Sequence, residues 1–389
     1  SARFYPEALF ELGRSYVVKE EDDNAFECFR MLADKVKDST YVARAYIEMG
    51  SLSRNQSQFN DALKYYKTVV EQMPLSGYAD DALAAIESVY QTKNDPQGYL
   101  KYIETIGKGE TKTENEKEDM IFNSAEQVYL TENYQQALVS LQDYMEAYPS
   151  GKYSGKAAFY AADSYRMLGK YEQACDGYVV VIESEDPDYV EQAMLYFSEL
   201  SFKMEKWEDA YGGYSSLHAS AKLDNNRQTA LIGMMRSAFK WHNWNESLKA
   251  VGKVLENAST DEDLKREALY IKAKSLLATS RREEALAVME TLASEIKDSY
   301  SAEAAYMLIL DSYDKGDFKA VEDKVIAFSD NHSNQLYWLA KSFIVLGDAY
   351  VDRDNLKQAK ATFESVRDSY RPSSADDDVM DNLRVRLSK

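Results

Sequence analysis

The side chains best suited to nucleophilic or metal chemistry are few in this 389-residue chain, and they lie far apart in the sequence. The three histidines are His218, His242 and His332, and the two cysteines are Cys28 and Cys175. No His or Cys pair stands at the spacing of a metal site. No glycine-rich phosphate loop or nucleophile elbow occurs either. We therefore predict no catalytic residue, no metal site and no cofactor.

Acidic residues are abundant, but their positions favour solvated surface charge. The run Glu20–Asp23 stands at a predicted helix start, where carboxylates interact favourably with the helix dipole. The run Asp376–Asp378 has the oxygen ligands that calcium prefers, with a solvated acidic loop as the alternative. A formal net charge of -20 repels phosphate backbones and anionic lipid surfaces. We therefore expect no nucleic-acid partner.

Membrane insertion is not predicted, because the chain has no apolar run of about 18 residues. Cys28 and Cys175 each occupy a helical position among apolar neighbours, so we expect buried free thiols rather than a disulfide. The sequence starts at Ser1 without a signal-like segment and reads as a mature chain or an excised piece, which leaves the compartment open.

A repeat of 36 to 38 residues organises the chain. In each copy a residue of the second predicted helix, usually small, serves as the alignment residue. The alignment residues are Ala25, Ala62, Tyr99, Ala137, Ala174, Ala210, Ser247, Ala285, Val321 and Ala359. A large apolar residue follows four positions later in every copy, and Gly, Ala or Ser stands twelve positions earlier in seven of them. We predict antiparallel helix pairs whose two small residues touch, with the large residue wedged against the next copy.

Further positions carry a family resemblance. The motif Leu-Gly-x-x-Tyr begins at Leu12 and at Leu346, and Pro74 and Pro149 stand near the ends of two copies. Together with the second-helix Ala and the aromatic residue four positions later, this pattern resembles the tetratricopeptide repeat. The long copies and the Tyr-Pro-Ser junction at Tyr148 resemble tetratricopeptide proteins of the bacterial cell envelope. The resemblance implies a periplasmic or envelope location, with the cytoplasm as the alternative.

The predicted fold is all-α, a right-handed α-solenoid of about ten antiparallel helix pairs with a C-terminal capping helix. The array covers residues 5–372, and an acidic loop with the capping helix covers residues 373–389. The predicted repeats one to ten span residues 5–37, 41–74, 78–107, 115–149, 153–186, 189–222, 226–258, 264–297, 301–330 and 335–372.

Several repeats depart from the pattern. Repeat three replaces both small residues by Glu87 and Tyr99, so either its helices splay or Tyr99 turns outward and nothing else moves. Repeat nine has Ile309 and Val321 at these positions. Repeat six carries Gly212–Gly213 in its second helix, which permits close packing or a bend. Repeat seven has Met235 and Ser247 at these two positions, and Trp241 and Trp244 stand around its turn.

The candidate binding residues lie near the ends of the first helices, which line a concave groove in tetratricopeptide arrays. Eight positions before the alignment residue, an aromatic stripe with one cation is predicted, and two lysines stand one position later. The candidate residues are Tyr129, Arg166, Phe202, Lys203, Phe239, Lys240 and Tyr313. Such a surface suits an extended or helical peptide. The alternative is that the rings pack against the neighbouring first helix.

These patterns favour a non-catalytic scaffold that binds a peptide or helix of a partner protein in the groove. A structural spacer or oligomerisation arm of an envelope assembly, using the convex or terminal faces, is the competing hypothesis. The sequence indicates neither the partner's identity nor the oligomeric state. The Lys and Asn pattern that grips a terminal carboxylate in chaperone-binding arrays is absent from the corresponding first-helix positions.

Overall fold

The computed structural model describes residues 5–184, 187–257, 260–331, 334–372 and 377–387. Over these residues it consists of 21 α-helices and one 3-10 turn, with no β-strand, and the all-α prediction is confirmed. The chain forms two compact bodies, Ser1–Tyr189 and Val190–Lys389. His332 and Asp376, which were considered above for chemistry, lie outside the described residues.

Ten helices build the described part of the N-terminal body. They are α1 (Tyr5–Val18), α2 (Asp22–Lys35), α3 (Ser39–Asn55), α4 (Phe59–Gln72), α5 (Ala79–Thr92), α6 (Pro96–Thr105), α7 (Glu114–Leu130), α8 (Tyr134–Ala147), α9 (Ser154–Met167) and α10 (Tyr171–Glu183). The 3-10 turn, Gly109–Thr111, lies between α6 and α7.

Eleven helices build the described part of the C-terminal body. They are α11 (Val190–Lys203), α12 (Trp207–Ser220), α13 (Asp224–Lys240), α14 (Trp244–Glu256), α15 (Glu262–Ala278), α16 (Arg282–Ala293), α17 (Ser299–Asp314), α18 (Phe318–Asn331), α19 (Leu336–Asp352), α20 (Leu356–Ser369) and α21 (Val379–Leu387). Up to α20, odd-numbered helices are the first helices of their pairs and even-numbered helices are the second.

The turn inside each helix pair has one backbone geometry throughout the described residues. The residue five positions before the alignment residue has a positive φ of about 51 to 72° in all ten pairs. It is glycine at Gly169 and Gly316 and another residue in the other eight pairs. Its N–H and the next N–H bond back to carbonyls near the helix end, as Gly169 does to Arg166 and Lys170 to Tyr165. This is a Schellman cap, which satisfies the last helical carbonyls.

Ser280→Gly is expected to raise the free energy of unfolding by about 0.5–1 kcal/mol. Ser280 has a φ of 62°, a conformation that costs a residue with a Cβ about 1–2 kcal/mol, and part of the gain is lost to the greater freedom of glycine in the unfolded chain. Glu290→Gly, at an exposed position of α16, is the control and should lower stability by a similar amount. Urea denaturation followed by far-UV circular dichroism measures both. A Ser280→Gly midpoint at or below that of the wild type would contradict the turn assignment.

All ten alignment residues are buried, and so are the large residues four positions later. The atoms nearest to a Cβ built on each first-helix glycine belong to those large rings. A Cβ built on Gly50 would lie 2.5 Å from a Tyr66 ring carbon, and one built on Gly347 would lie 2.2 Å from Phe363. The small residue thus makes room for the aromatic ring of its own repeat. A ring also reaches the next repeat, as Tyr214 does against Gly233.

Repeat three buries Tyr99 and leaves its partner Glu87 half-buried. Tyr99 is 2% exposed, and its hydroxyl donates a hydrogen bond to Glu87 Oε2 at 3.0 Å. Lys112 Nζ approaches Glu87 Oε1 at 2.9 Å and balances its charge. Burial, together with the neighbouring Glu87 carboxylate, raises the pKa of Tyr99. The prediction that Tyr99 turns outward is therefore wrong, because the two bulky residues bond to each other across the pair.

The final helix, α21, covers the apolar face of the last pair. Val379 and Leu383 are buried in a core shared with α19 and α20. Two ion pairs flank this contact, Lys341 with Asp378 at 3.2 Å and Arg386 with Asp348 at 2.6 Å. The helix therefore acts as the predicted cap.

Candidate partner-binding surfaces

In the N-terminal body, the candidate residues Tyr129 and Arg166 are held by a single buried carboxylate. The Tyr129 hydroxyl donates to Asp163 Oδ2 at 2.9 Å, and Arg166 Nε donates to Asp163 Oδ1 at 2.7 Å. Tyr178 also donates to Asp163, which is 5% exposed. Burial and the hydrogen bond to Asp163 raise the pKa of Tyr129. The polar ends of both candidates are thus engaged in the body, which leaves the Tyr129 ring and the Arg166 stem half-buried at its surface.

The Tyr129 ring also stacks on Tyr160 of the neighbouring first helix, with 4.0 Å between centroids and 13° between planes. This is the packing that the alternative interpretation of the stripe predicts. Of the other stripe rings, Phe239 reaches the next first helix at Tyr270, 6.5 Å away and edge-on. Contact between neighbouring first helices therefore accounts for part of the stripe.

In the C-terminal body, the stripe aromatics are half-buried and each packs on the aromatic residue that opens the second helix of its own pair. The centroid separations are 4.8 Å for Phe202 and Trp207, 5.8 Å for Phe239 and Trp244, and 6.0 Å for Tyr313 and Phe318. Tyr129 makes the same contact with Tyr134 at 5.9 Å. An aromatic pair five residues apart thus brackets each of these turns. The signal for it, aromatics at both positions of one copy, was present in the sequence.

Lys203 and Lys240 are the last residues of α11 and α13, and both are exposed. Each follows directly after a stripe phenylalanine. Arg236 forms two hydrogen bonds with Glu267 at 2.7 and 2.6 Å, and Lys274 Nζ lies 2.7 Å from Glu303. The surface around Phe202 and Phe239 therefore combines an aromatic face with positive charge at its edge.

Many tyrosines donate to carboxylates about one repeat away. Tyr160 donates to Glu126, Tyr211 to Glu246, Tyr270 to Glu303 and Tyr313 to Asp352, at distances of 2.7 to 3.2 Å. Hydrogen bonds to charged groups are stronger than those between neutral groups. A share of the 30 tyrosines and of the acidic side chains thus connects neighbouring repeats.

Chemistry-bearing side chains do not converge in the part of the chain that the structure describes. Within it, no group of three or more His, Cys, Asp or Glu side chains could hold a metal ion. None of the described helices is both long and apolar enough to cross a membrane. Cys28 and Cys175 are buried thiols that are not joined in a disulfide, and burial raises the pKa of Cys28. His218 Nδ1 lies 3.1 Å from the Arg227 carbonyl oxygen.

A family model described as a tetratricopeptide repeat matches residues 156–187, the range that holds most of α9 and all of α10. The predicted repeat type is therefore confirmed. Among curated proteins, none matches the sequence significantly.

Two solved structures are also similar to this chain. A tetratricopeptide repeat protein from Parabacteroides merdae is 12% identical over 89% of this chain and 98% of its own, with a TM-score of 0.26. Pseudomonas aeruginosa pilF is 15% identical over 59% of this chain and 97% of its own, with a TM-score of 0.29. These TM-scores are too low to support an argument, so the repeat type depends on the match at residues 156–187.

Proposed function

We propose that this chain, which contains a tetratricopeptide repeat, is a non-catalytic scaffold that binds a peptide or helix of a partner protein along its first helices. Tetratricopeptide repeats support a role in protein interaction generally. Binding of a peptide along the first helices is supported by one observation. The same kind of surface recurs on successive first helices of the C-terminal body. Phe202 with Lys203 on α11, and Phe239 with Lys240 on α13, each place a half-buried ring beside an exposed lysine. Aromatic residues braced by neighbours are typical anchors of protein interfaces.

The remaining candidates contribute differently to the proposed surface. The hydroxyls of Tyr129 and Tyr313 donate to carboxylates, and Arg166 is paired with Asp163. These three side chains would offer ring faces and an aliphatic stem rather than free hydrogen-bond donors. Since the first helices are formed before binding, capture of a partner segment would cost little ordering of the scaffold.

Phe202→Ala with Phe239→Ala is expected to weaken peptide binding at least tenfold and to leave helix content unchanged. Both rings are half-buried at the edge of a core cluster, so truncation removes exposed contact area, while the fully buried residues that hold the helices together are unchanged. The probe is a set of 12-residue peptides selected from a random display library on the wild-type chain. Affinity is measured by fluorescence anisotropy, and helix content by far-UV circular dichroism.

The control is Phe26→Ala with Tyr65→Ala, which likewise removes two half-buried rings, here from second helices α2 and α4, where the rings meet edge-on at 5.7 Å. It should change peptide affinity less than twofold. The groove assignment is lost if the two double variants weaken binding equally, or if neither does.

A spacer or oligomerisation arm is the competing function, and exposed apolar side chains on α1 favour it. Leu12 is 46% exposed and Val18 is 84% exposed. Sedimentation velocity over a hundredfold concentration range separates the two functions. Concentration-dependent association without selectable peptides would favour the arm, whereas a constant sedimentation coefficient with peptide binding favours the scaffold.

A further inference from the structure

The turn between α13 and α14 differs in chemistry from its neighbours. Residues 240–245 read Lys-Trp-His-Asn-Trp-Asn, with one lysine, one histidine and no acid in a chain whose net charge is -20. The equivalent stretch of the preceding pair, residues 203–208, contains Glu205 and Glu208. Three of the four tryptophans of the chain stand in these two stretches, at positions 207, 241 and 244.

The rings of this turn are braced against one another. His242 has a φ of 60° and stacks on Trp244, with 4.9 Å between centroids and 27° between planes. Phe239 also contacts Trp244, edge-on with 5.8 Å between centroids. Trp241 packs against Tyr211 of α12 at 5.9 Å. Trp241 and Trp244 are half-buried while Lys240 and His242 are exposed, so the turn presents a preformed aromatic surface with positive charge at its rim.

The first acidic residue after this turn in the sequence, Glu246, is already paired with a cation. Glu246 accepts hydrogen bonds from Lys249 Nζ and from the Tyr211 hydroxyl, both at 2.7 Å. Its backbone N–H donates to the Asn243 side chain, which caps α14. The hydrogen bonds from Lys249 and Tyr211 hold the pKa of Glu246 below its usual range. The carboxylate is thus directed towards α12 and Lys249, and the charge of Lys240 stays available at the surface.

We propose that the α13–α14 turn is the anchor point for an acidic segment of the partner, one that carries Asp or Glu beside an aromatic or large aliphatic residue. The inference rests on the proposed function, because Phe239 and Lys240 belong to both surfaces. The segment's carboxylates meet Lys240, and its apolar residue lies on the Trp241 and Trp244 rings. Complementary charge at the rim with a desolvated aromatic centre is the arrangement of an interface hot spot.

The test uses two labelled pools of 12-residue peptides that share their Leu and Phe positions, one with Glu and one with Lys at the remaining positions. The acidic pool is expected to bind the full chain at least tenfold more tightly than the basic pool. The chain's net charge alone favours the basic pool, so this preference must arise locally.

The decisive variant grafts the α3–α4 turn, whose residues Asn55, Gln56 and Ser57 occupy the equivalent positions. The graft is Lys240→Asn, Trp241→Gln and His242→Ser. Ser57 has a φ of 61°, nearly that of His242, so the graft preserves the turn geometry. We expect at least tenfold weaker binding of the acidic pool. Lys240→Glu alone should weaken binding of the acidic pool about fivefold. Lys64→Glu, at an exposed position of α4, should change that affinity less than twofold.

The outcomes separate this inference from the proposed function. If the acidic pool binds and depends on Phe202 and Phe239 but not on the graft, the anchor is elsewhere and only this inference is overturned. Preference for the basic pool overturns it as well. If neither pool binds while display-selected peptides still bind and depend on Phe202 and Phe239, only this inference is overturned. If the display-selected peptides bind independently of Phe202 and Phe239, the proposed function is overturned with it.

Discussion

Gly347→Ala is expected to lower the free energy of unfolding of the C-terminal body by about 3 kcal/mol. Gly212→Ala in the same body is expected to raise it by about 1 kcal/mol. Both glycines lie inside helices, α19 and α12, so alanine improves the local helix propensity equally at the two sites. The opposite signs come from what the added methyl group meets.

A Cβ on Gly347 would lie 2.2 Å from Cε1 of Phe363 and 2.6 Å from its Cζ. Phe363 is 4% exposed and packs in the core that α19 and α20 share with α21. The ring or the two helices must shift to admit the methyl group, and the packing lost in that shift is the expected source of the destabilisation. A Cβ on Gly212 meets nothing within 4 Å. There the only effect is that the unfolded chain loses the extra freedom of glycine.

Gly213 directly follows Gly212. The Gly213→Ala variant is expected to have a free energy of unfolding between those of Gly212→Ala and Gly347→Ala. Its Cβ would lie 2.3 Å from Ser198 Oγ and 2.9 Å from the Phe197 ring. The serine hydroxyl can rotate away only by giving up its hydrogen bond to the Met194 carbonyl at 2.6 Å. Urea denaturation, monitored by circular dichroism, gives the midpoint of each variant and ranks the three by stability. Equal midpoints for Gly212→Ala and Gly347→Ala would mean that the ring contact does not limit helix approach.

These glycines also show which features of the fold the sequence predicts and which it does not. The repeat could be located because small and large apolar residues recur at fixed offsets, and all ten alignment residues are buried. The prediction paired the first-helix glycine with the small second-helix residue, whereas the atoms nearest to a Cβ built on that glycine belong to the large ring four positions later. Periodicity tells which helix faces meet, whereas the atoms that touch depend on side-chain length and direction. Phe29, Tyr66 and Phe363 reach across to the first helix, and the glycine there receives the ring.

The sequence shows which repeats depart from the pattern, but it does not show how the substituted residues contact each other. Glu87 and Tyr99 stand twelve positions apart, and only the structure shows that they form a hydrogen bond. The same holds for Ser247, whose hydroxyl lies 3.2 Å from Ser275 of the next pair. Whether two substituted residues can bond to each other depends on the distance and direction between their side chains. The residue types alone do not give this geometry.

The candidate site was predictable in part for the same reason. The positions of Phe202 and Phe239 follow from the repeat register, and their half-burial fits a position near the end of a first helix. Their packing on Trp207 and Trp244 depends on the left-handed turn residue, which eight of ten pairs supply without glycine. Without the glycine signal, the common turn could not be derived from the sequence.

Raising the pH from 9 to 12 is expected to destabilise the C-terminal body, with Tyr214 as a main contributor. Burial, with a smaller effect from the Glu199 carboxylate, raises the pKa of Tyr214 to about 12. The unfolded chain has the ordinary value of about 10. The folded state therefore holds its proton more tightly. The stabilisation is fully present below pH 10 and is lost as the pH rises towards 12, on the order of 2–3 kcal/mol for a buried group.

Tyr214→Phe separates this effect from general alkaline damage. The ring is 7% exposed and remains in place, so stability at pH 8 should stay within about 1 kcal/mol of the wild type. At pH 11.5 the variant should be the more stable of the two, because it has no phenol to ionise. Urea denaturation at both pH values measures the difference. Parallel losses for wild type and variant between pH 8 and pH 11.5 would show that Tyr214 does not hold its proton in the folded state.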